Sequence, residues 1–441
     1  MSWRSALRSH PERRLFANVA ALSAIQVCRK TVPLLTLPYL ARVLGFEGWG
    51  LLTFFQSFGA CAIVAIEFGF SLSASRDIAQ SRNDKQKLAE VTSAVLGAQL
   101  WLSALVVAAT LALGFWIKPL HAHPAFTIAA LLWALTEGCS PFWYFLGVEE
   151  MKPIAVLEIS TKLLASAGVF LLVRRAADGP LVLALQAGAS GLALAIGLGL
   201  IRRRHPFAAF AWSSVARALK VGWPMFAIRS AESLYTVSNA FLLGVLASPS
   251  VVGYFAGPEK ISRALFGLFN PLRDALYPRL SSLTRQSPDQ AARLARIGTA
   301  LTAAGGLLIG AGVFAFAPLL IRMAMGPGFG PAVPVLRVLA VLPILRAVSQ
   351  SASLQWLLPR GKETTVIRII LVAAVAHVGM VMLVARRYTY NGMAWVVLAS
   401  ESLVCVLSVA AAMRASPTKA APDAGTAEPF REAPAASEVL A

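Results

Sequence analysis

The chain has 441 residues, of which 57% are hydrophobic and only 14% charged, and its mean hydropathy is +0.67. A water-soluble domain carries about a quarter of its residues as Asp, Glu, Lys or Arg, so this composition excludes a soluble globular protein. The formal net charge of +19 would point to nucleic acid in a soluble chain, but in a membrane chain it has first to be sorted by topology.

Taken in chain order, apolar segments bounded by charge or turn clusters predict about twelve spans. They cover roughly 15–42, 48–74, 88–117, 124–147, 153–173, 180–201, 221–246, 251–272, 295–321, 331–357, 365–385 and 390–412. Leu181 to Ile201 and Ile297 to Ile321 contain no charged residue at all. The first apolar run, Leu15 to Cys28, has the length of a signal-peptide core. It leads into Arg29-Lys30 without a small-x-small cleavage site, so a retained, kinked first helix is expected.

Counting Lys and Arg in the connectors orients the chain. With the N-terminus inside, the even-numbered connectors and both ends hold 25 basic residues, and the opposite side holds seven: Arg42, Lys118, Arg174, Arg175, Arg322, Arg386 and Arg387. Both termini are expected in the cytoplasm, and most of the +19 becomes a topology signal with no nucleic-acid partner. The organisation predicted is a basic N-terminus over 1–14, helices 1–6 over 15–201, a basic connector over 202–220, helices 7–12 over 221–413 and a disordered Ala/Pro-rich tail over 414–441.

The connector from Arg202 to Lys220 divides the spans six and six, and weak self-similarity runs across it. Leu40-Ala-Arg-Val-Leu44 and Gly50-Leu-Leu-Thr-Phe-Phe55 align with Leu242-Leu-Gly-Val-Leu246 and Gly253-Tyr-Phe-Ala-Gly257. Trp143 to Gly147 with Glu149 to Lys152 has a looser echo in Trp356 to Gly361 with Lys362-Glu363. Six is even, so the halves form a parallel repeat, an arrangement that places substrate between two lobes near the bilayer midplane.

Eight basic residues remain within the spans, Arg29, Lys30, Lys162, Arg229, Lys260, Arg263, Arg337 and Arg346, accompanied by Glu67, Glu137, Glu158, Glu232, Glu259 and Glu401. An Arg or Lys at mid-membrane costs about 3 kcal/mol even on the lenient scale, so these side chains are expected to face a wet cavity or a protein partner. Glu158 with Lys162, Glu259 with Arg263, and Arg229 with Glu232 have the spacing of same-helix pairs. Arg337 is placed to snorkel to an interface. Arg29 and Lys30 have no acid within a turn, and Arg346 has no helix-mate. Such a pocket suits an anion, phosphate above all.

Asn239, Thr236, Gln350 and Ser353 suit a sugar, whereas Trp143 and Tyr144, at a span end, fit an interfacial aromatic belt. Pro33, Pro38, Pro141, Pro224, Pro271 and Pro343 mark bends or hinges. The isolated cysteines Cys28, Cys61, Cys139 and Cys405 and the scattered histidines predict no disulfide, no metal and no cofactor.

The stretch from Pro33 to Gly45, then Gly48-Trp-Gly50 and Phe68 to Ala79, resembles the N-terminal signature of Wzx-type polysaccharide flippases of the multidrug/oligosaccharidyl-lipid/polysaccharide exporter superfamily. Phe142 to Lys152 is similar to that family's cytoplasmic motif after helix four, with Leu146 in place of an expected Gln. The resemblance implies a V-shaped, all-α alternating-access bundle of two six-helix lobes. Its implied cargo is an undecaprenyl-diphosphate-linked oligosaccharide, moved from the inner to the outer leaflet of the bacterial cytoplasmic membrane, with a polysaccharide polymerase and a chain-length regulator as further partners.

By family position, Arg29 and Lys30 with Lys260 and Arg263 would meet the diphosphate, and Lys162, Arg229 or Arg346 would complete the site. Asn239 is a further substrate candidate and Glu67 an ion-coupling candidate. A cation-coupled multidrug exporter is the alternative within the superfamily; it would favour an acidic cavity. A membrane-embedded polymerase or ligase is a third possibility, but it would need a large outward loop, and the longest here lies near Met323 to Gly330. No Walker loop, H-E-x-x-H or Ser-His-Asp arrangement is present.

Overall fold

The computed structural model describes residues 10–208, 211–267, 280, 282–283 and 286–414. The expected tail after Arg414 lies outside the described residues, as do Pro271 and the side chains of Arg29 and Lys30. The described chain is helical throughout, without a strand. Nine of its helices are long and apolar enough to cross a membrane.

The nine relate simply to the twelve expected spans. Spans one and two run together as α1 (His10–Glu67), 58 residues with a single non-helical position at Gly45 (φ 67°, ψ −179°). Only glycine takes up that conformation without strain. Pro33 and Pro38 stay inside the helix. α2 (Phe70–Gln80) follows a break in which Phe68 and Gly69 both have positive φ.

Then come α3 (Lys85–Gly114), α4 (Lys118–Ala122), α5 (Pro124–Gly138), α6 (Phe142–Gly147), α7 (Met151–Leu172) and α8 (Gly179–Arg202). Span seven is α9 (Trp212–Thr236) and α10 (Asn239–Leu246), and span eight is α11 (Pro249–Phe266). α11 holds Glu259, Lys260 and Arg263 within 18 residues, and its internal charge keeps it out of the apolar nine. The chain continues with α12 (Pro288–Met325), α13 (Ala332–Leu339), α14 (Leu342–Ser351) and α15 (Glu363–Arg414), the last bent at Thr389 (φ 53°).

The charge asymmetry read from the connectors corresponds to two ends of the bundle. At the base-poor end Arg42 donates to the Met323 carbonyl (2.5 Å), Ser250 to Glu47 (3.2 Å) and Tyr39 to the Val173 carbonyl (2.6 Å). At the base-rich end Asn18 donates to the Glu149 carbonyl (2.6 Å) and accepts from the Met151 amide (3.2 Å). Arg82 reaches Glu149 (2.6 Å) and Arg204 reaches Glu150 (2.5 Å) there.

That second network includes the Phe142–Lys152 motif. Trp143 and Tyr144 are not interfacial as expected: both are almost fully buried, in a cluster with Phe70, Ile78, Phe145 and Ile201. The Tyr144 hydroxyl lies 3.2 Å from His205 Nε2 on the connector after α8. Outside, large apolar side chains such as Leu100, Leu308, Val375 and Leu383 are exposed, the inverse of a soluble surface and the condition for contact with lipid.

Among the described residues α1 packs backbone against backbone on α11, a contact between the two expected halves. A methyl group added at Gly50 would lie 1.8 Å from the Pro249 carbonyl oxygen, and one at Gly253 would lie 2.2 Å from that of Phe46. These are the glycines that the repeat aligns, so equivalent positions of the two halves touch each other. Close by, Ser57 donates to the Val237 carbonyl (2.6 Å) and accepts from the Phe241 amide (3.1 Å). It thereby satisfies backbone groups at the break between α9 and α10, which apolar surroundings would otherwise leave costly.

Candidate functional site

Two cavities flank the first leg of α1. The first, about 330 Å³, is bounded by the first half of the chain, with Thr36, Gln56, Glu137, Lys162 and Gln186 among its lining residues. The second, about 760 Å³, is bounded mainly by the second half, including Tyr235, Arg263, Arg346, Gln350 and Glu401. Pro33 and Lys260 line both. Lys260 is the twelfth residue of α11, roughly 16 Å along the helix from its start at 1.5 Å per residue.

Most cations expected in the interior have an acid against them. Lys162 on α7 lies 3.2 Å from Glu137 on α5 and 3.5 Å from Glu158 one turn earlier. Arg263 is 2.7 Å from Glu259, which also accepts from Asn239 (2.5 Å). Arg346 donates to Glu401 on α15 through both Nε (2.9 Å) and an Nη (2.6 Å). Arg229 makes a longer contact, 3.9 Å, with Glu67. Arg337 lies away from both cavities, its guanidinium 5.6 Å from the centre of the Phe314 ring.

Lys260 is arranged differently. Its ammonium donates to the Gln56 side-chain oxygen (2.7 Å) and stands 4.7 Å from the centre of the Trp49 ring. Among the described residues no carboxylate lies within 4 Å of it. Its hydrogen-bond and ring partners are thus a neutral amide and an aromatic face, both on α1.

Glu67 sits at the corner between α1 and α2. Its carboxylate accepts from the Gly69 amide (3.1 Å), the Ser71 amide (2.7 Å) and the Ser71 hydroxyl (2.5 Å). The acid expected as an ion-coupling candidate therefore also caps the start of α2. Arg29 and Lys30 fall on α1 one turn before the cavity-lining Pro33. Thr236, Gln350 and Ser353, the expected sugar-type groups, line the second cavity, whereas Asn239 is held in the Glu259 pair.

Gln56, Trp49 and Gln186 carry no charge and were not among the expected site residues, whereas Glu401 was one of the acids expected beside the internal cations. Outside the spans, the hydrogen bond from Arg82 holds the Glu149 carboxyl below the usual carboxylate range.

A multi-pass helical bundle with polar cavities on either side of the α1–α11 contact is a membrane-transporter architecture. The polysaccharide biosynthesis protein family matches residues 15–284, and the chain belongs to that family. It is 28% identical over 403 residues to the Putative O-antigen transporter of Escherichia coli (strain K12), covering 88% of this chain and 94% of the relative. The Shigella dysenteriae protein of the same description is 25% identical over 398 residues, covering 89% and 99%.

In fold the chain is similar to the lipid II flippase MurJ in its inward closed conformation, with a TM-score of 0.68 at 12% identity and coverage of 89% and 87%. An inward-facing multidrug resistance MATE family transporter of the MOP superfamily gives 0.59 at 14% identity, covering 88% and 99%. The protein is a transporter serving polysaccharide biosynthesis, not an enzyme.

Proposed function

We propose that this transporter is a flippase that moves an undecaprenyl-diphosphate-linked oligosaccharide repeat unit from the inner to the outer leaflet of the bacterial cytoplasmic membrane. The base-rich end is cytoplasmic in this reading, and both termini lie there. Residues 15–201 and 221–413 act as two lobes rocking about a shared cavity system, with 1–14, 202–220 and 414–441 as basic or flexible cytoplasmic segments. The repeat unit would pass on the outer side to a polysaccharide polymerase and its chain-length regulator.

The observation that carries this reading is Lys260: a cation inside the bundle that lines both cavities and whose hydrogen-bond and ring partners are neutral. A diphosphate offers acceptor oxygens with more than one negative charge, and charge-assisted hydrogen bonds are roughly twice as strong as neutral ones. Arg263, Arg346, Arg229 and Lys162 are the surrounding cations in this assignment, Arg29 and Lys30 line the cytoplasmic approach along α1, and Asn239 orients Glu259 beside Lys260. Glu67 is assigned to coupling: protonation would weaken its hold on Ser71 and Arg229 and loosen the corner between α1 and α2.

The test is transport of defined lipid-linked sugars in liposomes. Lys260→Ala and the double substitution Arg29→Ala with Lys30→Ala should each lower flipping at least tenfold in protein that still accumulates in the membrane. Full transport in either case would remove the cationic pathway from the proposal. For coupling, Glu67→Gln should transport at a rate that no longer follows the pH or sodium gradient; an unchanged dependence would remove Glu67 from it.

A further inference from the structure

We infer that Lys260, Gln56 and Trp49 form a substrate-released latch on the α1–α11 crossing, so that an anionic headgroup reaching Lys260 frees the two halves to part at the base-poor end. This rests on the function proposed above.

The crossing is built to open as a unit or not at all. Gly50 and Gly253 bring one helix backbone against the other, leaving no side chain between them that a rotamer change would move aside. Flanking contacts add area on the same side: Phe46 stacks on Tyr254 at 5.5 Å, and Phe54 lies 5.4 Å from Phe241. Such packing is directional only in shape and carries no information about whether cargo is present. A ligand shifts a conformational equilibrium only through contacts that differ between the two states, so the cargo must act on a polar contact that spans the halves.

Ser250 with Glu47, Arg42 with the Met323 carbonyl and Ser57 with the Val237 carbonyl also join the halves, but among these contacts Lys260 to Gln56 is the one whose residues line the cavities. Counted from the glycines, Gln56 lies six residues along α1 and Lys260 seven along α11, about two turns into the bilayer from the closest approach. The amide and the Trp49 ring hold the ammonium without a formal charge. A phosphate oxygen therefore gains a charge-assisted bond by displacing a neutral one, whereas displacing the carboxylates on Lys162, Arg263 or Arg346 exchanges one anion for another. The exchange at Lys260 also removes the cavity-facing bond between the halves, leaving the crossing on packing and on the contacts outside the cavities, such as Ser250 with Glu47 and Ser57 with the Val237 carbonyl.

The experiment uses the full chain in right-side-out vesicles, with Cys28, Cys61, Cys139 and Cys405 replaced by Ser and Ser166→Cys as a reporter in the first cavity. A membrane-impermeant maleimide is added from outside, with and without farnesyl diphosphate as the lipid-diphosphate probe. The expected result is faster labelling with the probe in the parent, and a response about tenfold weaker in Gln56→Glu, which gives Lys260 a charged partner that the probe must displace. Gly253→Ala should label rapidly without the probe, because its methyl group wedges the crossing.

A Gln56→Glu protein that responds like the parent would overturn the latch and leave the proposed function standing. A parent that ignores the probe while Gly253→Ala labels rapidly would overturn both, since the reporter would then have been shown to see an open crossing. Slow labelling of Gly253→Ala would overturn the assignment of the glycine crossing as the gate.

Discussion

The two cavities hold their charges by different means. In the first, Lys162 is partly open, with a quarter of its side chain exposed, and its two acids come from its own helix and from α5. In the second, the Arg346–Glu401 pair is nearly sealed, at 12% and 6% exposure, and joins α14 to α15 through two hydrogen bonds to one oxygen. Burial decides what such a pair does: a sealed pair leaves a stranded charge when one member is lost, whereas a wet one rehydrates. The second cavity is thus rigidly wired on its outer wall, and the first has a charged group free enough to follow solvent or cargo.

The largest effect expected from that difference is on Arg346. Arg346→Ala leaves Glu401 buried, which should destabilise the protein by about 3–5 kcal/mol, seen as poor accumulation and a strongly lowered melting temperature in detergent. Adding Glu401→Ala to the same protein should recover much of the loss. If Arg346→Ala melts like the parent, the contrast between sealed and wet pairs is wrong. Lys162→Ala should cost less, about 1–2 kcal/mol, because Glu137, with a fifth of its side chain open, can rehydrate, although Glu158 is as buried as Glu401. A larger loss there than at Arg346 would invert the comparison.

How far the sequence foretold this contrast depends on distance along the chain. The cost of an internal charge needs no structure to compute, and Lys162, Lys260, Arg263 and Arg346 do line the cavities, whereas Arg337 is exposed against the Phe314 ring. Same-helix partners were too: Glu158 with Lys162 and Glu259 with Arg263 are a turn apart and do meet. Arg229 shows the limit, since its carboxylate contact is Glu67 on another helix. So does Arg346, whose acid lies 55 positions away. Periodicity reports which residues share a face but not which face meets which, and that information resides only in packing.

The repeat identified Gly50 and Gly253 as equivalent without showing that they touch. Trp143 and Tyr144 were misplaced for the same reason: an aromatic pair at a span end fits a headgroup belt until α2 and the connector after α8 fold over it.

The exposed limit of the same comparison is Arg82 with Glu149 at the base-rich end, where the side chains are 36% and 63% open. The Glu149 carboxyl is shifted down by its hydrogen bond from Arg82, so its folded-state pKa lies below its unfolded value, near 4.5. A depressed carboxylate pKa contributes stability above the unfolded value and loses it as pH falls through the folded one. Over most of the neutral range nothing should change; below about pH 4.5 the contribution fades. Exposed pairs are worth only about 0.2–1 kcal/mol and are screened by salt, so Glu149→Gln should lower the melting temperature slightly at pH 7 in low salt. At high salt, or at a pH low enough to protonate Glu149, variant and parent should converge. An undiminished gap at high salt would mean that the Arg82–Glu149 pair is shielded from the solvent ions, and that this end of the bundle is wired like the wall of the second cavity.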